Sequence, residues 1–339
     1  MSLIPADKSD ELWWANERLR NRIIAEPEAV LRERGLNVPG TMSLASMNEY
    51  IRLTHLLWLD RRLVPVDEFR IDPSDEGLLL GRGVWESTKT IQGVPWLWEL
   101  HIGRMLQSAE LLGIKLEAAQ LPTAEEATEY ARVLTQDDLL LRLNATAGRP
   151  GGAGLVWMSA SPLPHYPTAV RLRTVRNPVQ KGQAYLLLKT FQYATRLQVG
   201  QQAAGDGFDS ALMIDDAGLI LEAAHANVFL KLPDGWATPA ADGGFLPGTV
   251  RQFLLDSAPI QFAVRPIPVE MLAQASEVFI TNSNAGLVPV TRIDGYNYRY
   301  GADTQSLQAW LTSAGTSRTR YLFAARGALP VSQTGPAPS

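Results

Sequence analysis

The stretch LLLKTFQYATRL, residues 186–197, places a single lysine, Lys189, directly behind three leucines. Desolvating an ammonium is costly, so lysine is among the residues least often buried. Two readings of Lys189 follow. A surface lysine would lay its stem along apolar neighbours and keep its charge in water. A lysine delivered into a pocket by a buried strand would instead be neutral and nucleophilic. The leucine run reads as a strand, so the company that the rest of the chain provides for Lys189 decides between them.

With 339 residues, 46% of them hydrophobic, the chain can bury a sizeable core, and its length suggests about two domains. Charged residues make up 19% and the formal net charge is −4, which predicts no basic face for nucleic acid. The absence of cysteine excludes disulfides and thiolate-held metals. The opening MSLIPADKSDELWWANE lacks the basic and apolar regions of a secretory signal. No run reaches the ~18 apolar residues of a membrane span. These features together predict a cytoplasmic globular protein with no membrane or nucleic-acid partner and no metal.

Outward from Lys189 the pattern divides. Residues 1–49 carry helical periodicity, with Leu12, Trp13, Leu19, Ile23 and Ile24 near one face, Pro27 opening a second helix and Gly35 closing it. Residues 50–163 mix strands and helices into a smaller α+β unit. Within it GVWESTKTIQGVPWLW reads as a hairpin turning at Gln92-Gly93. ELHIGRMLQSAELLGIKL reads as an amphipathic helix ended by Gly113. The proline-rich PLPHYPT marks a linker, 164–169. Residues 170–325 form a larger, strand-dominated unit, and 326–339 read as a disordered tail.

Several stretches are candidates for chemistry. In LEAAHANVFL, Glu222 sits among apolar neighbours and small residues, where a carboxylate needs a cationic partner or a donor. In GFLPGTVRQFLL, a Pro247-Gly248 turn leads into a helix with Thr249 at the N-cap. Its free N–H groups and hydroxyl make either a phosphate cup or a plain cap. In EVFITNSNAGLVPV an apolar strand breaks into a polar loop, 281–284, that offers hydroxyls and backbone N–H groups. Arg104 can clamp a phosphate as a planar fork, and His101 beside it reads as structural.

Taken together, LLLGRGVWESTKTIQGVPWLWELHIGRMLQSAELLGI, LKTFQY, LEAAHANVFL, GFLPGTVRQFLL and EVFITNSNAGLVPVTRIDG stand in the order and spacing of the class IV aminotransferases. The chain resembles that family from about residue 57 to 311. The resemblance implies pyridoxal-phosphate fold type IV, an α+β architecture of two domains, and pyridoxal 5'-phosphate as cofactor. It also implies a homodimer that completes the site. Lys189 matches the lysine that holds the cofactor as an aldimine, and Glu222 the acid that pairs with its ring nitrogen. Arg104, Thr249, Val250, Ser283 and Asn284 match phosphate-side positions, and Tyr193 a tyrosine near the phenolic oxygen.

The substrate end departs from the family pattern. Gly81-Arg82-Gly83 replaces a usual Gly-Asp-Gly, Trp85 replaces a tyrosine or phenylalanine, and Thr146-Ala147-Gly148 lacks the arginine of a usual Thr-Arg-Gly. Arg82, Trp85, Lys89 and Arg149 are therefore the candidate substrate residues. Two activities fit: transfer of an amino group between an amino acid and a 2-oxo acid, or release of pyruvate from aminodeoxychorismate. A third possibility keeps the fold as a non-catalytic scaffold. The leading helices, similar to the leader region of some modified-peptide precursors, read more simply as a pair packed on the small domain or at a dimer contact.

Overall fold

The computed structural model describes residues 56–177, 184–242 and 244–318. The expectations for residues 1–49 and 326–339 lie outside that range. Two sheets organise what is described.

The first begins with a hairpin, β1 (Leu56–Leu59) and β2 (Arg62–Pro65), around Asp60 and Arg61, both at positive φ. A short helix α1 (Glu76–Leu80) leads into β3 (Gly83–Ile91), which turns at Gln92-Gly93 into β4 (Val94–Pro95) as the pattern predicts. Helices α2 (Trp98–Leu111) and α3 (Ala124–Leu134) precede β5 (Leu139–Thr146) and β6 (Val156–Pro162). The strand order is β2-β1-β6-β5-β3-β4, with antiparallel pairing throughout. Alternation along β3 and β5 sends Val84, Leu141 and Leu143 into a core shared with Met105 of α2 and Tyr130 of α3. The helix α3 starts on a capping box, with Thr123 accepting from the Glu126 amide and Glu126 accepting from the Thr123 amide.

The second sheet gathers β7 (Val170–Arg176), β8 (Ser210–Ile214), β9 (Ile220–Ala223), β10 (Asn227–Leu232), β11 (Gly235–Thr238), β12 (Ala263–Val264), β13 (Glu277–Asn282), β14 (Gly286–Ile293) and β15 (Tyr296–Asn297). Its order is β12-β11-β10-β13-β14-β7-β8-β9, with β15 on β14. The parallel pair β7–β8 needs a crossover. Helix α4 (Ala194–Gly205) lies within it and buries Val199 and Ala203 against Ala211 and Met213. Helices α5 (Thr249–Ser257) and α6 (Ala302–Arg318) cover an aromatic layer that includes Phe229, Phe279 and Trp236.

The seam between the sheets positions everything that follows. The Trp85 amide donates to the Lys189 carbonyl at 2.9 Å, and the Phe191 amide donates to the Gly83 carbonyl at 3.0 Å. Val84 and Thr190 form an isolated bridge. Gly83 is required here, because a Cβ would lie 2.6 Å from the Phe191 ring. The leucine run is not the strand that its composition predicts. Ala184–Leu187 is a 3-10 turn, and Lys189 is fixed by borrowing the edge of β3 rather than by a ladder of its own. Among the described residues no helix is long and apolar enough to cross a membrane.

Candidate active site

Lys189 opens into a cavity lined also by Tyr193, Arg196, Met213, Glu222 and Leu246. Its Nζ lies 3.8 Å from the centre of the Trp85 ring, and that ring is anchored by its indole N–H to the Thr190 carbonyl at 2.8 Å. Burial, with Arg104, Arg196 and Arg142 nearby, outweighs the attraction of Glu86 and lowers the Lys189 pKa to about 7. About half of these amines are therefore neutral near pH 7, where an ordinary lysine is almost wholly charged.

Glu222 is 2% exposed and belongs to β9. Burial pushes its pKa up, and the guanidinium of Arg196 opposes that shift. Arg196 Nη2 reaches Glu222 Oε1 at 2.5 Å, while Asn227 Nδ2 lies 3.4 Å from Oε2. Tyr193, at the start of α4, places its hydroxyl 2.8 Å from His225 Nδ1, with the two rings stacked.

A second cluster lies beside this cavity. Glu86 of β3 is buried and accepts a fork from Arg104, Nε to Oε1 at 2.7 Å and Nη2 to Oε2 at 2.6 Å. Its Oε2 also lies 2.7 Å from His101 Nδ1. Burial would raise the pKa of this acid, but Arg104 and His101 override burial and hold it at about 2. Arg104 reaches onward to the Pro247 carbonyl at 3.0 Å, and His101 Nε2 lies 3.3 Å from Thr249 Oγ1. His101 thus ties the small sheet to the start of α5.

The start of α5 corrects one expectation. Gly248, not Thr249, is the N-cap, and no side chain caps the helix although Thr249, Val250 and Arg251 are buried. Gly248 is obligatory, since a Cβ there would sit 2.1 Å from Asn227 Oδ1. A buried, uncapped helix start with Thr249 in its first turn and Arg104 and His101 alongside has the donor set of an anion site. Ser283 donates to the Ser87 carbonyl at 2.6 Å, which fixes the β13–β14 loop against β3. Among the described residues, the buried Asn284 Oδ1 and the Thr281 hydroxyl in the same region have no partner. These residues have the donors that the phosphate of pyridoxal 5'-phosphate needs, beside the cavity that holds Lys189.

The candidate substrate residues are scattered. Trp85 packs against Lys189 and edge-on against Tyr193, both of which line the cavity. Arg82 does not line it, because its guanidinium is tied to Glu76 and to the Leu112 carbonyl at the end of α2. Arg149 is exposed and lies 3.9 Å from Asp72. Lys89 lies over Trp96, 4.8 Å from its ring centre, and burial lowers its pKa. Sequence reading passed over Arg142, whose guanidinium carbon lies 3.8 Å from the Trp85 ring centre, and Arg196. Arg142 interrupts the apolar run Leu139–Leu143, a signal available in the sequence, whereas the register that sets it opposite Ser87 was not.

The family description amino-transferase class IV matches residues 83–293 of this chain. The chain is 26% identical to a D-alanine aminotransferase of Bacillus licheniformis over 273 residues, 76% of this chain and 96% of that protein. It is 24% identical to an aminodeoxychorismate lyase of Bacillus subtilis over 275 residues, 75% of this chain and 92% of that protein. Among solved structures, a hypothetical aminotransferase of Mycobacterium tuberculosis in its PLP-bound form superposes with a TM-score of 0.71. That match is at 22% identity and covers 77% of this chain and 99% of that one.

Proposed function

The chain belongs to the class IV aminotransferase family, and from that premise we propose that it moves an amino group between an amino acid and a 2-oxo acid, using pyridoxal 5'-phosphate bound at Lys189. The observation that carries this reading is Lys189 itself: an amine with a pKa near 7, in one cavity with a buried acid, against an aromatic wall. A surface lysine has none of these features.

When bound, the cofactor supplies an electron sink for charge developing at the substrate α-carbon. The residues of the chain do the rest. Lys189 would hold the cofactor through its neutral amine, and the same amine is the base placed to move a proton at that carbon. Glu222 would face the ring nitrogen and favour its protonated form. Thr249, the Val250 amide, Arg104 and the Ser283–Asn284 loop would hold the phosphate. Tyr193, hydrogen-bonded to His225, would stand at the phenolic oxygen. Trp85 shields one side of the reacting atoms from water, and Arg142 beside it offers a cation to a substrate carboxylate. A second copy of the chain completes the site. Leu78, Leu79 and Leu80 of α1, 62%, 63% and 60% exposed, offer an apolar surface for it, just ahead of Gly81, which packs on Gln192 of the cavity.

The test is a half-reaction. Holoenzyme mixed with single L- and D-amino acids should lose its imine absorbance and release the matching 2-oxo acid with at least one of them. The relationship to a lyase supports a second reading. No conversion by any amino acid, with pyruvate released from aminodeoxychorismate, would replace the first activity with the second. Failure of both would leave the fold as a scaffold.

A further inference from the structure

Arg196 belongs to neither the lysine nor the phosphate end, yet it makes the shortest charged contact in the cavity. It sits in the first turn of α4, with its side chain 16% exposed, and its Nη2 lies 2.5 Å from Glu222 Oε1. Its Nη1 lies 3.4 Å from the Ala224 carbonyl, so the guanidinium spans the end of β9. The Leu246 amide approaches the same Oε1 at 3.4 Å. Among the described residues Oε2 has only the long contact with Asn227. The two oxygens of this carboxylate are therefore unequal: one is fully engaged by the protein and one is nearly free.

Resting on the cofactor reading above, we propose that Arg196 is a positioning residue: by engaging Oε1 it keeps Glu222 ionised and oriented inside the protein and leaves Oε2 as the single oxygen presented to the cofactor's ring nitrogen. Two consequences follow from charge balance. Before the cofactor binds, Arg196 supplies the counter-charge without which a buried carboxylate would take up a proton. After it binds, Glu222 divides its negative charge between a permanent cation and the ring nitrogen. The ring nitrogen is then held protonated less strongly than by an acid that has no other partner. Lys189, Tyr193 at the start of α4, and Arg251 of α5 also face this acid. Among the described residues only Arg196 contacts its oxygens directly as a cation.

The proposal is tested on Arg196→Met, Arg196→Lys, Glu222→Gln and the Arg196→Met/Glu222→Gln pair. In the apoprotein, R196M should lower the melting temperature at pH 8, and adding E222Q should restore at least half of the loss. R196K should lie between R196M and wild type. A purely steric role for Arg196 predicts no recovery in the double variant, and that result would overturn the proposal. Should R196M be too unstable to purify, recovery of soluble protein by the double variant supports the pairing, and failure of both overturns it.

The second readout uses cofactor labelled with 15N in the ring. In R196M the ring nitrogen should stay protonated to a pH about one unit higher than in wild type, with R196K close to wild type. An unchanged ring-nitrogen titration in R196M would overturn the proposal. Failure of the wild-type protein itself to take up cofactor would instead sink the cofactor reading, so the two failures are distinct.

Discussion

Two buried carboxylates, one from each sheet, show how the same side chain is put to different use. Glu86 on β3 has both oxygens taken by Arg104 and His101, and that knot holds it at about 2. Glu222 on β9 has one oxygen taken by Arg196 and the other almost free, and burial pushes its pKa up. The first is saturated by the protein and joins elements together. The second is left incomplete and faces a cavity shared with a lysine. Saturation marks a site that fixes structure, and incompleteness marks a site prepared for a ligand.

The largest effect that separates the two regions is on the cavity side. Lys189→Ala should abolish covalent cofactor uptake and all turnover while the folded protein remains, as judged by its circular dichroism. Retention of more than a trace of turnover would place the reacting amine elsewhere. Next, Glu86→Gln should cost about 3 kcal/mol of stability, because Arg104 loses a buried counter-charge and His101, kept neutral by burial, loses a hydrogen-bonded carboxylate oxygen. Its sign with pH follows from the lowered pKa. The stabilisation by Glu86 is fully present above the ordinary value of 4.5 and is lost as pH falls toward about 2. Denaturant melts of both proteins at pH 7 and pH 3 should show the gap narrowing in acid; a gap that does not change with pH would mean that the knot is not ionic.

The smallest effect has the opposite pH dependence. Lys189→Met should stabilise the apoprotein by about 2 kcal/mol below pH 7, a value reduced for the partial access of solvent through the cavity. The burial penalty is present below about 7 and vanishes as pH rises toward 10.5, where an ordinary lysine also loses its proton. Melting curves between pH 6 and pH 10 should converge at the alkaline end. Divergence there would show that Lys189 is not held partly neutral.

Much of this was legible in the sequence, and the reasons for the rest are physical. The hairpin at Gln92-Gly93, the helix closed by Gly113 and the strands of the second sheet follow from period and turn chemistry, which are local. Lys189 and Glu222 stood out because charge among apolar neighbours is costly wherever the chain goes, and Arg104 as a planar fork on a helix. The leucine run misled because its residues are buried by tertiary contact across the seam rather than by a ladder of their own. Arg196 lay within the very stretch that drew attention to Lys189. Its partner is 26 positions away in sequence, and only the packing of α4 on the sheet brings the two together. Arg82 and Arg149, chosen for nearness in sequence to glycine loops, are satisfied locally by Glu76 and by contact with Asp72.

The most direct measurement is the position of a reduced cofactor. Purified protein loaded with pyridoxal 5'-phosphate, treated with borohydride, digested and analysed by peptide mass spectrometry should carry the label on the peptide containing Lys189 and on no other. The apoprotein should capture the cofactor faster as pH rises, with a midpoint near the Lys189 value of about 7. Label on another lysine, or none at all, would contradict the account.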